Sequence, residues 1–287
     1  MAEPASNAAK LLPPEAAERF AALYPAGQDG GFRHNLSGHP LLTPAALAQA
    51  ALRMDPATVQ IRAGNARNGE GFDLGEDTGK SISEIICGIA EAGRWVMLAK
   101  LEQLPEYDAL LREIMAPLEP AIRRATGEPL RLRGYAFVQS PGVVTPFHLD
   151  PEYNIMFHIA GAKDFAVYPM EEPWLSAAVN EYYHSSGDNL LAWQGDYRAM
   201  GTIYRLEPGD ALYVPYKRPH WVEVCAEPAV SLSLTWCTKA SYEQEAAWRL
   251  NAWFKAKGLA LPEPAPLPSR SRLRALAWSA LDRLRLT

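Results

Sequence analysis

Cysteine is scarce: only Cys87, Cys225 and Cys237 occur in 287 residues. The number is odd, the spacings are wide and no CxxC pair is present, so a framework of paired disulfides is excluded and a reducing, cytoplasmic setting is expected. Excess positive charge is missing as well. Against 33 Asp and Glu the chain has 28 Lys and Arg, a formal net charge of -5, and without a basic field it lacks the main source of non-specific nucleic-acid affinity. No apolar run approaches the roughly 20 residues that a membrane span requires, and the start Met1-Ala-Glu-Pro has no basic segment leading into an apolar one. Internal repeats and long low-complexity tracts are absent too. What is present, 48% hydrophobic and 21% charged residues, is the composition of a folded protein of one elaborated domain or two modest ones.

Four regions emerge from shifts in pattern. Residues 1–30 are rich in Ala and Pro and read as an extension or docking arm with a short helix over 15–23. Residues 31–128 form a mixed, mostly helical region packing on a barrel built by residues 129–240. Thr43-Pro-Ala-Ala caps a helix reaching to Met54, one long helix is predicted over 107–126, and 58–62 and 95–100 read as short strands. From 129 to 240, β-branched and aromatic runs alternate with Gly, Pro and Asp. Strands are expected over 130–139, 153–159, 165–169, 201–206, 211–215, 220–225 and 230–236, the pattern of an antiparallel sandwich or barrel. Residues 241–287 return to helix, over 243–257 and 269–285, joined by a Pro-rich linker at 261–268.

The chemistry concentrates in Thr145-Pro-Phe-His148-Leu-Asp150. A strand alternates its side chains with period two, so His148 and Asp150 share a face and offer one imidazole and one carboxylate to a metal. Six histidines and 33 acidic residues give about 0.7 such pairs by chance, and the motif gains weight only from its continuation. That continuation is Glu207-Pro-Gly-Asp-Ala-Leu-Tyr-Val-Pro-Tyr-Lys-Arg-Pro-His220, a tight turn, a short strand and a loop leading to a second His. The order matches two His and one carboxylate holding a non-haem Fe(II) on a double-stranded β-helix, with three coordination positions left open. The alternative is that the three are separate surface or core polar residues.

With these motifs the stretch 134–236 resembles the JmjC and cupin-like branch of the Fe(II)- and 2-oxoglutarate-dependent oxygenases, with spacing similar to the hypoxia-factor asparaginyl hydroxylase. The resemblance implies a mainly β fold, a double-stranded β-helix (jelly-roll) core with an N-terminal helical region and C-terminal helices. It implies Fe(II) on His148, Asp150 and His220 and 2-oxoglutarate as cosubstrate. Thr145, three before the first His, Asn154, four after the carboxylate, and Lys163, thirteen after it, fall on the family's cosubstrate positions, and Tyr135 could add a further hydroxyl. Trp236 sits where the last core strand carries an aromatic. One departure is clear: Ser231, Ser233 and Thr235 alternate where the family often has an Asn near the metal. Independently of the resemblance, a dicarboxylate needs a cation and a hydroxyl deep in a barrel, which Lys163 and Thr145 can supply.

The remaining features carry bland readings beside functional ones. His158 reads as a satisfied core histidine, His34, His39 and His184 as polar loop residues, and Cys225 and Cys237 as small hydrophobes in the sheet. The aromatic-rich insert at 171–200 is either a substrate lid or a cover for one sheet edge. The last helix is basic, with Arg270, Arg272, Arg274, Arg283 and Arg285, and presents Leu273, Leu276, Ala277, Ala280, Leu281 and Leu284 on one face. It is expected to dock on the domain or to pair two copies in a homodimer, membrane or partner binding being the alternative. The activity expected is hydroxylation of a protein side chain or small molecule, or demethylation where the carbon bears nitrogen. A non-catalytic metal- or ligand-binding sensor, and a cupin enzyme needing no cosubstrate, are the other readings.

Overall fold

The computed structural model describes residues 10–24, 26–71 and 79–284. Eleven strands run through it: β1 (Gly30–Arg33), β2 (Val59–Ala63), β3 (Arg94–Ala99), β4 (Leu130–Gln139), β5 (Val144–His148), β6 (Tyr153–Ala160), β7 (Lys163–Val167), β8 (Thr202–Leu206), β9 (Asp210–Val214), β10 (His220–Val224) and β11 (Ala229–Cys237). They form a seven-stranded sheet of order β1-β9-β6-β11-β4-β3-β2 and a four-stranded sheet of order β5-β10-β7-β8, with every pairing antiparallel. From β4 onward the chain crosses between the sheets, β4, β6, β9 and β11 in the large and β5, β7, β8 and β10 in the small, with only β7 and β8 following each other in one sheet. Such winding of eight strands is a double-stranded β-helix. The predicted core is therefore present, with β2, β3 and β1 widening its large sheet.

Helices cover the outside of the large sheet. Phe20, fully buried on the helix Pro14–Leu23, meets the Tyr213 and Trp236 rings edge-on at 5.3 and 6.0 Å. The segment read as an arm thus seats its helix in the main core. Thr43 caps Pro44–Ala51 as expected, accepting a bond from the Ala46 amide at 3.2 Å. The single helix predicted over 107–126 is two, Pro105–Met115 and Glu119–Thr126. Pro117 and Pro120 lack amide hydrogens and cannot continue a helix, whereas a proline is tolerated in a first turn, where Pro120 now sits.

Beyond the barrel, the helix Lys239–Lys255 leads into the extended proline segment, which is fastened to it by Gln244 and Asn251 side-chain bonds to the Ala265 and Pro262 carbonyls. The last helix is Arg272–Arg283; the expected Arg285 lies outside the described residues. Arg270 pairs with Glu243, and Arg274 reaches Asn251 and the Pro262 carbonyl. None of this helix's residues is buried, and Leu273 is 83% exposed. Among the described residues no helix is long and apolar enough to cross a membrane.

Candidate metal and cosubstrate site

The site is built where the small sheet meets the loop after β5. His148 ends β5, His220 begins β10, and the two are cross-strand partners, so neighbouring strands bring the rings to 4.1 Å between centroids. Asp150 lies two residues beyond β5. Its Oδ2 lies 3.8 Å from His148 Nε2 and 3.6 Å from His220 Nε2, and one ligand atom from each of the three falls within 4.8 Å of the others. The tautomers are set by the partners of the other ring nitrogens. His148 Nδ1 is 2.7 Å from the Pro146 carbonyl and His220 Nδ1 is 2.8 Å from the Arg218 carbonyl. A carbonyl only accepts, so each Nδ1 carries a hydrogen and each Nε2 is the ring nitrogen left facing Asp150. Phe165 stacks on His220 at 5.1 Å, and burial with the adjacent His148 pushes the His220 pKa down to about 4, keeping the imidazole neutral. Two imidazoles and one carboxylate facing a common point are a donor set fit for a divalent transition metal.

A cavity of about 440 Å³ opens beside this group, with His148, Asp150, Thr145, Asn154 and Tyr135 in its wall. The sheet register arranges the wall in rows: Arg133 opposite Thr235 and Asn154, then Tyr135 opposite Ser233 and Met156, then Phe137 opposite Ser231 and His158. Asn154, Met156 and His158 therefore share the inner face. The Asn154 side-chain oxygen is buried with no partner among the described residues, and burial pushes the Tyr135 hydroxyl up to about 12.

Lys163 opens β7 and is 1% exposed. Its Nζ donates to Gln139 Oε1 and to Ser231 Oγ at 2.7 Å, and Gln139 in turn donates to Thr145 Oγ1 at 3.4 Å. Two of the three ammonium hydrogens are thus used, by neutral acceptors. Nothing among the described residues offers the buried ammonium a carboxylate, and burial lowers its pKa to about 7. This is the environment of a cation awaiting an anion. The turn that delivers it depends on Gly161, at φ +72°, where an added Cβ would stand 2.2 Å from the Pro228 carbonyl oxygen. Gly161→Ala is expected to cost about 2–4 kcal/mol of stability through strain and clash, measurable by urea unfolding; an unchanged midpoint would contradict the geometry.

Several expectations are revised. His158 is buried, yet neither ring nitrogen has a partner among the described residues, so it is a core histidine without being a satisfied one. His34 does lie in the loop after β1 but is buried, reaching the His158 carbonyl at 3.0 Å, and His184 is buried on the helix Ala177–Ser186 and is not a loop residue. Cys225 sits just past β10 and is only half-buried, whereas Cys237 is buried in β11. The insert's Leu175, Leu191 and Tyr197 pack with Phe147, Tyr168 and Trp221, covering the small sheet, while Asn189 extends into the cavity wall.

The sequence reading also missed residues. Arg131, Arg133 and Glu152 line the same cavity; the period of β4, which places 131, 133, 135, 137 and 139 on one face, was the available signal. Lys217 gave no local signal at all. It is 1% exposed at φ +59°, with its ammonium bonded to Asn180 and His184 and set 5.4–5.8 Å from the Tyr183, Tyr216 and Trp248 ring centres. Its amide donates to the Asp150 carbonyl at 2.9 Å. The helix Ala177–Ser186 is thereby tied to the backbone of Asp150.

No protein-family model matches the chain, and no curated protein matches it. Among solved structures it is similar to Escherichia coli YcfD, described as a ribosomal oxygenase, at TM-score 0.47 and 16% identity over 90% of this chain and 63% of that one. YcfD in complex with cobalt and succinic acid gives 0.46 and 15%, over 90% and 63%. The DMSP lyase DddQ of Ruegeria pomeroyi DSS-3 gives 0.25 and 23%, over 37% and 38%. The chain spans a little under two thirds of the YcfD chains' length. The double-stranded β-helix stands on its strand order and crossovers, and these likenesses assign neither substrate nor activity.

Proposed function

We propose that the chain is an Fe(II)- and 2-oxoglutarate-dependent oxygenase of the hydroxylase type, working in the reducing cytoplasm. The observation that carries this reading is the pairing of two sites in one barrel: the His148–Asp150–His220 group, and the buried ammonium of Lys163, linked through Gln139 to Thr145 in the cavity wall, with a hydrogen left for an anion. A metal-binding sensor needs the first and has no use for the second. His148, Asp150 and His220 would hold the iron. Lys163 and Thr145 would hold the distal carboxylate of 2-oxoglutarate, with Gln139 between them and the Tyr135 hydroxyl and Asn154 amide as further polar contacts.

The bound iron and cosubstrate would supply, with dioxygen as the oxidant, oxidation of a C–H bond to C–OH, one oxygen atom entering the product and the other the succinate formed as 2-oxoglutarate loses CO2. The chain's own part is orientation and exclusion of water. The Pro146 and Arg218 carbonyls fix the ring directions, Phe165 shields His220, and the Lys217 amide holds the Asp150 loop. Phe137, Met156 and the leucines around them make the barrel interior apolar, which strengthens every charge contact within it. Anaerobic addition of Fe(II) and then 2-oxoglutarate is expected to give the weak visible charge-transfer band of the chelate. A folded, iron-loaded protein with no band would overturn the reading in favour of the sensor.

A further inference from the structure

The mouth of the cavity carries charge that the metal and the cosubstrate do not use. Arg131 and Arg133 project from the outer end of the inner face of β4 into the cavity wall, with side chains 42% and 26% exposed. Glu152, 9% exposed, stands between them, its Oε1 3.2 Å from Arg131 and 3.7 Å from Arg133. Glu245, the other carboxylate whose field reaches Arg131, is itself paired with Arg249 at 3.0 Å. Two guanidiniums with ten N–H donors between them thus share one carboxylate, which orients both and neutralises one. Arg131 is also held at φ +51°. A non-glycine residue stays in that sparsely populated region only where its surroundings impose it, so the side chain is aimed.

This cationic pole is separate from the one at Lys163. From Arg133 to Gln139 the strand rises about 20 Å, at roughly 3.3 Å per residue, far beyond the reach of a five-carbon dicarboxylate anchored on Lys163. Beyond the mouth the wall is mainly apolar or aromatic, through Trp95, Met97, Phe137 and Tyr135, with polar members that include Arg62, Asn154, Ser233 and Thr235. The mouth therefore suits a molecule with an apolar body, lying near the metal group, and an anionic end at the arginines. Guanidiniums bind carboxylate and phosphate in a bidentate fashion. A cationic group would meet two like charges there.

We propose that Arg131 and Arg133, oriented by Glu152, form the specificity clamp of the substrate site, and that the substrate carries a carboxylate or phosphate on an apolar body. The proposal deepens the oxygenase reading and rests on it for the word substrate; the clamp itself is a binding site that can be tested alone.

The test is calorimetric titration of the full chain, loaded with Co(II) and saturating 2-oxoglutarate, with matched probes. These are 3-phenylpropionate, phenyl phosphate and the neutral 3-phenylpropionamide, and a capped hexapeptide with a central Glu or Gln flanked by Phe. The anionic member of a pair is expected to bind about tenfold more tightly or better, as a charge-assisted pair would give. Preference among the free acids assigns a small molecule, and preference in the peptides an acidic side chain. Arg131→Gln with Arg133→Gln should erase the preference and leave 2-oxoglutarate affinity unchanged. The triple variant that adds Glu152→Gln, which leaves no buried charge unpaired, should do the same if the double variant folds poorly. Equal binding of acid and amide, no binding of any anionic probe at 10 mM (about the weakest affinity such a clamp would give), or a preference surviving in both variants overturns the clamp. Loss of 2-oxoglutarate affinity in these variants would make the arginines the cosubstrate anchor and overturn it equally. Absence of the chelate band with the acid preference intact sinks the oxygenase reading alone.

Discussion

Replacing His148 by Ala is expected to abolish iron retention and succinate formation together, lowering turnover at least about a thousandfold, while the fold survives. The expectation comes from how the three ligands are placed. His148 and His220 belong to paired strands and Asp150 to the loop after β5, so each arrives by an independent element. The remaining pair keeps its geometry when one is lost. Two monodentate ligands, however, hold a divalent ion far less well than three on one face, and no fourth His, Cys or carboxylate among the described residues joins the cluster. His220→Ala and Asp150→Asn should match His148→Ala within the error of the assay, because the three act as one unit. Iron content measured by mass spectrometry and succinate by chromatography check this, with circular dichroism to show the fold. Full iron retention and turnover in any one variant would remove that residue from the site.

The ligand triad was legible because its spacing is short and its chemistry rare. His148 and Asp150 stand two apart in one short segment, although Asp150 falls in the loop past β5 and not on the strand, and His220 comes after a turn whose Pro208-Gly209-Asp210 sequence announces it. Most strands were legible for a similar reason, with β-branched and aromatic runs stopped by turn residues. β1 and β5 escaped. Gly30-Gly-Phe-Arg has almost no strand propensity and is ordered by pairing with β9, and Thr145-Pro-Phe-His contains a proline that a strand tolerates only where its amide is not needed. What lay beyond reach was contact across the barrel. Gln139, Lys163 and Ser231 are brought together by three strands of both sheets, and Lys217 meets His184 only because the insert docks where it does. Local pattern places a residue on a face. It does not say which face of another element will oppose it. The same limit hid Arg131 and Arg133, whose alternation with leucines on β4 suits a solvent-facing edge as well as a cavity mouth.

The second large effect belongs to Lys163. Lys163→Met fills the space without the charge, and 2-oxoglutarate affinity is expected to fall by about 2–4 kcal/mol, or about 30- to 1000-fold, since a carboxylate would lose its only buried cation. Iron binding should hold, because Lys163 lies beyond Phe165 from the histidines. The pH dependence distinguishes this role from a merely structural one. In the unliganded protein burial brings the Lys163 pKa down to about 7, and an anion beside it must raise that value. Below pH 7 the ammonium is charged before binding, so this group makes the affinity insensitive to pH. Above pH 7 a proton must be taken up on binding, and affinity falls by up to about tenfold per pH unit until the pKa of the complex is passed. Stability of the unliganded chain should move oppositely. Between about pH 7 and the ordinary lysine value of 10.5 the unfolded chain binds more protons, so stability rises with pH through that window. Lys217, also lowered to about 7 by burial, adds to the same slope, and Lys163→Met should remove only part of it. Calorimetry in two buffers of different ionisation enthalpy counts the proton directly. Proton uptake near one at pH 8 in the wild type and near zero in Lys163→Met would place the cosubstrate's carboxylate on this lysine; equal uptake in both would place it elsewhere.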